Sequence, residues 1–324
     1  MNPRNALICL VLVAVFFLGV LAGGYFLSKP ALERVVPGKI NRSGQELINQ
    51  GSVYFNDTQR HLGQAAASPA NRYIQAGLNC SSCHVNGGID PFFLNLQGVA
   101  ARYPRISPRN GKTQTLADRI NGCMERSMNG KPLPEGSHPL RAMTAYLSSL
   151  PAPGKSDWVG HETTNSAGSQ NSREGFKVID RAADLGRGQK LYVQHCASCH
   201  GTKGEGVLTP YGERPHFMLP PLWGPHSFND GAGMARLMTA AKFVYQYMPQ
   251  GNPTLTVEES YDVAAYMLSQ PRPQASDAAL DYRNLLEKPV DAAYPPYLGP
   301  FPEKQRRLGP FGPMLEYVKQ HGGK

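Results

Sequence analysis

The chain has 324 residues, 41% hydrophobic and 18% charged, which excludes wholesale disorder and provides for two modest cores. Only one apolar run reaches spanning length, which excludes a polytopic membrane protein, and 34 glycines with 28 prolines exclude a long coiled coil. The 33 basic residues outnumber the 24 acidic ones, which favours anionic partners without naming them.

The apolar run extends from Ala6 to Leu27 without a charged side chain. As a helix rising ~1.5 Å per residue it is about 33 Å long, enough for a bilayer core of ~30 Å. Residues 1–28 are expected to be a membrane anchor or a signal segment, the uncleaved anchor being favoured over the cleaved peptide. Arg4 precedes the run and Lys29, Arg34, Lys39 and Arg42 follow it, so flanking charge does not set its orientation.

Beyond the run, five cysteines follow a pattern. Cys80-Ser-Ser-Cys83-His84 and Cys196-Ala-Ser-Cys199-His200 both read C-x-x-C-H, the attachment sequence of a c-type haem. Two thiols one helical turn apart reach the two vinyl groups of one haem, and the adjacent histidine meets the iron. A redox pair or half a zinc site explains one such cysteine pair but not a histidine directly after each of two. Two covalently attached c-type haems are therefore expected. Bacterial haem attachment takes place outside the cytoplasm, so a periplasmic chain, anchored to the inner membrane by its N-terminal helix, is expected. Cys123 remains as the single unpaired thiol outside the apolar run.

The spacing predicts a helix over Thr113–Met128, a loop over Asn129–Ser137 and a closing helix over His138–Leu150. Residues 151–185, rich in Pro, Gly, Ser and Asn, read as a linker. The plan then repeats. A short helix runs from Gly186 into the second haem motif, Ala232–Tyr247 reads as helix, and a last helix covers Thr256–Gln270 with Thr256 and Glu259 as a capping box. Ala145-Tyr-Leu-Ser-Ser-Leu150 matches Ala265-Tyr-Met-Leu-Ser-Gln270 as the mark of an internal duplication. The glycine-rich loop Gly201–Gly206 lacks the order and the preceding strand of a nucleotide site, and no nucleic acid partner is expected. The fold class expected is all-α. Tandem cytochrome c domains occupy 41–150 and 186–270, and a Pro-rich extended tail over 271–324 carries no chemistry.

Each iron has one further axial position, and its ligand sets the potential. Met248 lies 48 residues beyond His200 in a loop bounded by Pro249 and Gly251, where small cytochromes c place a thioether ligand. His216 and His226 are the alternatives. In the first half the repeat favours Met128, since Met128 precedes Tyr146 by the same 18 residues that separate Met248 from Tyr266. Against Met128 stand the neighbours of Cys123. Arg119, Cys123 and Ser127 fall at i, i+4 and i+8 on one helical face, and Arg126 is close by. Cations beside a thiol favour the thiolate, the form that binds iron or attacks sulfur. The residues alone leave Met128 and Cys123 both open.

The sequence also resembles a known family, the dihaem thiosulfate dehydrogenases. The likeness rests on Cys80–His84, Arg109, the block Asp118-Arg-Ile-Asn-Gly-Cys-Met-Glu-Arg-Ser-Met-Asn-Gly130, the second haem motif and Tyr247-Met-Pro249. It covers roughly residues 45–275. The resemblance implies His84 and Cys123 as ligands of a catalytic haem, and His200 and Met248 as ligands of an electron-transfer haem. It implies Arg109 and Arg119 as substrate-binding arginines and Ser127 as an active-site serine. The implied reaction joins two thiosulfate ions into tetrathionate, in either direction, with a periplasmic or membrane c-type cytochrome as electron partner. In the implied mechanism Cys123 leaves the iron, forms an adduct with one thiosulfate, and a second thiosulfate displaces the product. A dihaem electron carrier without a substrate site is the alternative, and it would place Met128 on the first iron.

Overall fold

The computed structural model describes residues 42–152, 176–177, 179–210 and 214–323. It is mostly helical. The first module opens with α1 (Arg42–Asn56) and α2 (Thr58–Leu62), and the first C-x-x-C-H motif sits in a 3-10 turn at Cys80–Ser82. Strands β1 (Arg105–Ile106) and β2 (Thr113–Gln114) pair antiparallel, Arg105 opposite Gln114. Helices α3 (Leu116–Arg126) and α4 (His138–Ser149) complete the module. The second module runs through α5 (Leu185–His195), α6 (Ala197–His200), the antiparallel pair β3 (Val207–Leu208) and β4 (Phe217–Leu219), α7 (Leu237–Tyr247) and α8 (Val257–Ser269).

Two expected helices are shorter than their periodicity suggests. Residues 113–114 are drawn into β2, and Thr115 caps α3. Its side chain accepts the Asp118 N–H at 3.1 Å while the Asp118 carboxylate accepts the Thr115 N–H at 2.8 Å. In the second module Ala232–Tyr247 divides at Arg236, which is extended (φ −89°, ψ 131°), between a 3-10 turn at Gly233–Ala235 and α7. The capping box at Thr256 and Glu259 forms as the sequence suggests.

The internal duplication has a packing basis in two glycines. Helix α1 crosses α4 at Gly51, where an added Cβ would overlap the carbonyl oxygen of Ala142 and crowd the Cβ of Tyr146. Helix α5 crosses α8 at Gly188, where an added Cβ would overlap the carbonyl oxygen of Asp262 and crowd the Cβ of Tyr266. Each crossing brings two helix backbones together over a glycine and a tyrosine, and these are the tyrosines that align in the repeat.

Each module has its own core. The first is built on Phe55, Leu62, Ile74, Met124, Met128 and Met143, the second on Tyr192, Trp223, Val244, Tyr261, Met267 and Phe311. The modules are also stitched together. Phe228, Ala232 and Ala235 of the second half pack in the first core. The Gln59 side-chain amide donates to the Phe217 carbonyl at 3.0 Å and accepts its N–H at 2.8 Å, so it acts as a strand partner for β4.

The C-terminal region departs from the extended tail expected over 271–324. It holds α9 (Glu303–Leu308) and α10 (Gly312–Gln320). Phe311, Met314 and Val318 recur at helical spacing and are buried, the first two inside the second core. The surrounding prolines conceal that stripe in the sequence. The same region delivers buried Asp281 and Tyr294 to the first module. Among the described residues no helix is long and apolar enough to cross a membrane. The apolar run at residues 6–27 lies outside the described residues, as do residues 153–175 and 178 of the linker expected over 151–185.

Gly51→Ala and Gly188→Ala are each expected to cost about 1–3 kcal/mol through overpacking. Thermal unfolding of the purified protein checks this, with Gly233→Ala as the control because a Cβ there meets nothing within 4 Å.

Candidate active site

Helix α3 sets the geometry. Its buried face carries Leu116, Ile120 and Met124, and the Thr115 cap fixes where its first turn starts. Arg119 and Cys123 then share an adjacent face one turn apart. The Arg119 Nη1 donates to the Cys123 Sγ at 3.1 Å. The Cys123 sulfur is the leading influence holding the Arg119 guanidinium above its ordinary pKa, ahead of burial, which opposes it. Ser127 follows at the C-terminal cap, where its N–H bonds the Cys123 carbonyl. Met128 is buried in the first core, and its carbonyl accepts the N–H groups of Gln75 and Ala76 at 3.3 and 3.1 Å.

The first C-x-x-C-H motif faces the same space. Burial pushes the Cys80 thiol up to about 11 and the Cys83 thiol up to about 12, and Cys123 adds repulsion at both, so its sulfur lies within electrostatic range of the pair. Burial pulls His84 down to about 4 against the pull of the Leu94 carbonyl, with Arg119 lowering it further. The imidazole is thus neutral, the form that ligates a metal. Its Nδ1 is held by the Leu94 carbonyl at 2.7 Å, which leaves Nε2 for a metal. The second motif repeats this arrangement: the His200 Nδ1 meets the Pro220 carbonyl at 2.8 Å, and burial lowers the pKa of the ring. In both motifs the histidine N–H bonds the carbonyl of the first cysteine, at 3.0 and 2.9 Å, so each forms one helical turn. None of the five described cysteines is in a disulfide. These donors fit a haem bound through two thioethers and one imidazole in each module. Met248 follows α7 and packs against the second core.

Arg109 is less available than a free cation would be. Its guanidinium pairs with Asp281, donates to the Tyr294 hydroxyl at 2.8 Å and to the Gly231 carbonyl at 3.1 Å, and lies 5.3 Å from the Tyr282 ring centroid. The Arg109 carbonyl accepts the Tyr282 N–H at 2.6 Å. Burial opposes its charge, and Tyr282, Tyr294 and Asp281 together outweigh burial and raise its pKa. Arg126 shares the same acid, donating to Asp281 at 3.0 Å and to Asp277 at 2.9 Å. Arg109 and Arg102 both lie within electrostatic range of Arg119.

The structure therefore gathers Cys123, Arg119, Arg109 and the first haem motif around one side of α3, while the second motif and Met248 belong to the other module. Sequence reasoning missed Asp281, Tyr282 and Tyr294, because they lie in a proline-rich region with no periodic signal and act over more than 170 positions. A cleft of about 870 Å³ opens along α3 beside Asp118, Asn121, Gly122 and Glu125. Arg109, Lys112 and Arg283 line it together with Glu125, Asp277 and Asp281, so its charge is mixed, and Cys123 is not on its wall.

Comparison with known proteins agrees with this geometry. Residues 70–152 match the family described as SoxA/TsdA, cytochrome c domain, and residues 183–267 match the one described as cytochrome c oxidase, cbb3-type, subunit III. A thiosulfate dehydrogenase of Stutzerimonas stutzeri is 36% identical over 250 residues, covering 76% of this chain and 73% of the relative. One from Thiomonas intermedia is 38% identical over 255 residues, covering 76% and 71%. The solved thiosulfate dehydrogenase TsdBA of Marichromatium purpuratum, "as isolated" form, superposes with a TM-score of 0.59 at 30% identity. That match covers 76% of this chain and 50% of the other. Two cytochrome c modules and these relatives establish two c-type haems as the cofactors. With a cysteine sulfur and guanidiniums gathered beside the first haem motif, and with these relatives, the chain belongs to the thiosulfate dehydrogenase family.

Proposed function

We propose that this protein oxidises two thiosulfate ions to tetrathionate beside Cys123 and passes the two electrons to a c-type cytochrome. The observation that carries the reading is the Cys123 sulfur, held 3.1 Å from a guanidinium and within electrostatic range of the first cysteine pair. His84 and Cys123 would hold the iron of the first haem, and His200 and Met248 that of the second. Bound, the two haems supply two one-electron acceptors, which matches the two electrons of the reaction.

Thiosulfate is a dianion, and bringing two together opposes the reaction. One pair of unit charges at ~4 Å costs about 4 kcal/mol at an effective dielectric near 20. Arg119 and Arg109 supply counter-charge that cannot deprotonate, in a fork that suits sulfonate oxygens. Ser127, one turn beyond Cys123, orients a sulfonate oxygen by hydrogen bond. The Cys123 thiolate bonds to the outer sulfur of one thiosulfate, and that step releases two electrons. The outer sulfur of a second thiosulfate then attacks the outer sulfur of the adduct. Tetrathionate leaves, and the Cys123 thiolate is restored. The same groups serve the reverse reaction.

Haem attachment outside the cytoplasm supports a periplasmic site of action. The uncharged run at residues 6–27 supports an N-terminal helix that holds the protein at the inner membrane.

Steady-state kinetics with thiosulfate and ferricyanide test the reading. Cys123→Met is expected to keep both haems attached and to lose turnover; retained turnover would remove the proposed catalyst. Arg119→Lys, which loses the planar fork, is expected to raise the thiosulfate KM roughly tenfold or more. Asp281→Asn releases Arg109 and Arg126 from their shared carboxylate. Its expected effect is a drop in kcat/KM of about tenfold, mainly through KM, with haem content unchanged.

A further inference from the structure

Tyr247 is the last residue of α7 and is peptide-bonded to Met248. Its side chain does not stay in its own module. The hydroxyl donates to the Asp90 Oδ1 at 2.6 Å and accepts the Phe93 N–H at 3.0 Å. Asp90 also accepts the Phe92 N–H at 3.1 Å. Lys242, earlier on α7, places its Nζ 4.9 Å from the Phe93 ring centroid. The end of α7 thus grips loop 90–94 at several points.

That loop has its own task in the first module. Leu94 follows Phe93, and its carbonyl holds the His84 Nδ1 at 2.7 Å. Leu94 adopts φ +55°, a left-handed backbone that a branched residue keeps only under outside restraint. From the His84 imidazole to Met248 the connection therefore consists of one hydrogen bond to Leu94, one peptide step to Phe93, one hydrogen bond to Tyr247 and one peptide step to Met248.

We infer that Tyr247 is a positioning residue that couples the surroundings of the two haems, so that a group in the second module tunes the potential of the haem in the first. The inference rests on the ligand assignments proposed above and not on the substrate. A carbonyl that accepts the Nδ1–H makes the imidazole a stronger donor, which favours the oxidised metal. Without the Tyr247 hydroxyl the loop relaxes, that hydrogen bond weakens, and the His84 haem becomes easier to reduce.

The test is a spectroelectrochemical titration of both haems in the full dihaem protein, comparing Tyr247→Phe with the unmodified chain. Tyr192→Phe is the control, since the Tyr192 hydroxyl bonds the Gly201 carbonyl inside the second module. The expected result is at least a threefold shift of the electron equilibrium toward the His84 haem in Tyr247→Phe and none in Tyr192→Phe. An unchanged ratio in Tyr247→Phe, or an equal shift in the control, overturns the inference. Should Tyr247→Phe fail to assemble, Asp90→Asn weakens the same hydrogen bond with the ring in place and is read in the same way. A Met248→Ala variant with an unaltered haem spectrum would remove the ligand assignment itself, a failure separate from an unchanged ratio.

Discussion

A guanidinium 3.1 Å from a sulfur is the contact on which the proposed chemistry depends. The i, i+4 spacing on α3 makes that contact a consequence of helix geometry, because side chains four apart lie one above the other. The Thr115 cap starts the helix in the right place, and the Leu116, Ile120 and Met124 stripe fixes its rotation against the core. The same packing that stabilises the module therefore holds Cys123 within electrostatic range of the first cysteine pair. A cation that cannot lose its proton stands beside this sulfur.

Clustering cations has its own cost. Arg109, Arg119 and Arg126 lie near one another, and like charges in a partly buried site repel. Asp281 answers that problem by accepting from both Arg109 and Arg126, with the Tyr294 hydroxyl donating to it at 2.6 Å. The carboxylate removes the self-repulsion of the site and fixes where the forks point. On the proposed reading an incoming dianion would meet guanidiniums already held in place, with little ordering left to be done on binding. A region outside both matched cytochrome modules thus supplies the acid and the tyrosine that hold Arg109 of the first module.

Local chemistry was legible in the sequence, and long-range closure was not. The haem motifs, the Thr256 cap, the closing helices and the shared face of Arg119 and Cys123 each follow from residues within a few positions of one another. Helix α1 left no comparable mark, and its decisive residue is Gly51, whose role appears only when Ala142 lies against it. The acidic partner of Arg109 sits 172 positions away in a stretch whose prolines suggest a passive wrap. Helix α10 was hidden for the same reason: composition reports the turns, while Phe311 and Met314 report the core only after the chain has come back to it.

The two modules share a scaffold down to the glycine and tyrosine at each helix crossing, so the scaffold cannot be what makes them different. The difference lies in the sulfur that each presents. The first module sets a cysteine in mid-helix, where a guanidinium from the preceding turn reaches it. The second sets a methionine just past the end of α7, among apolar side chains of its core. An anionic sulfur stabilises oxidised iron, and a neutral thioether favours the reduced state. Were Cys123 and Met248 to hold the two irons as proposed, the second haem would be the easier to reduce, and electrons released beside the first would run downhill to it. On that proposal the direction of flow would follow from the two different sulfur donors, one a cysteine and one a thioether, that the two duplicated modules present.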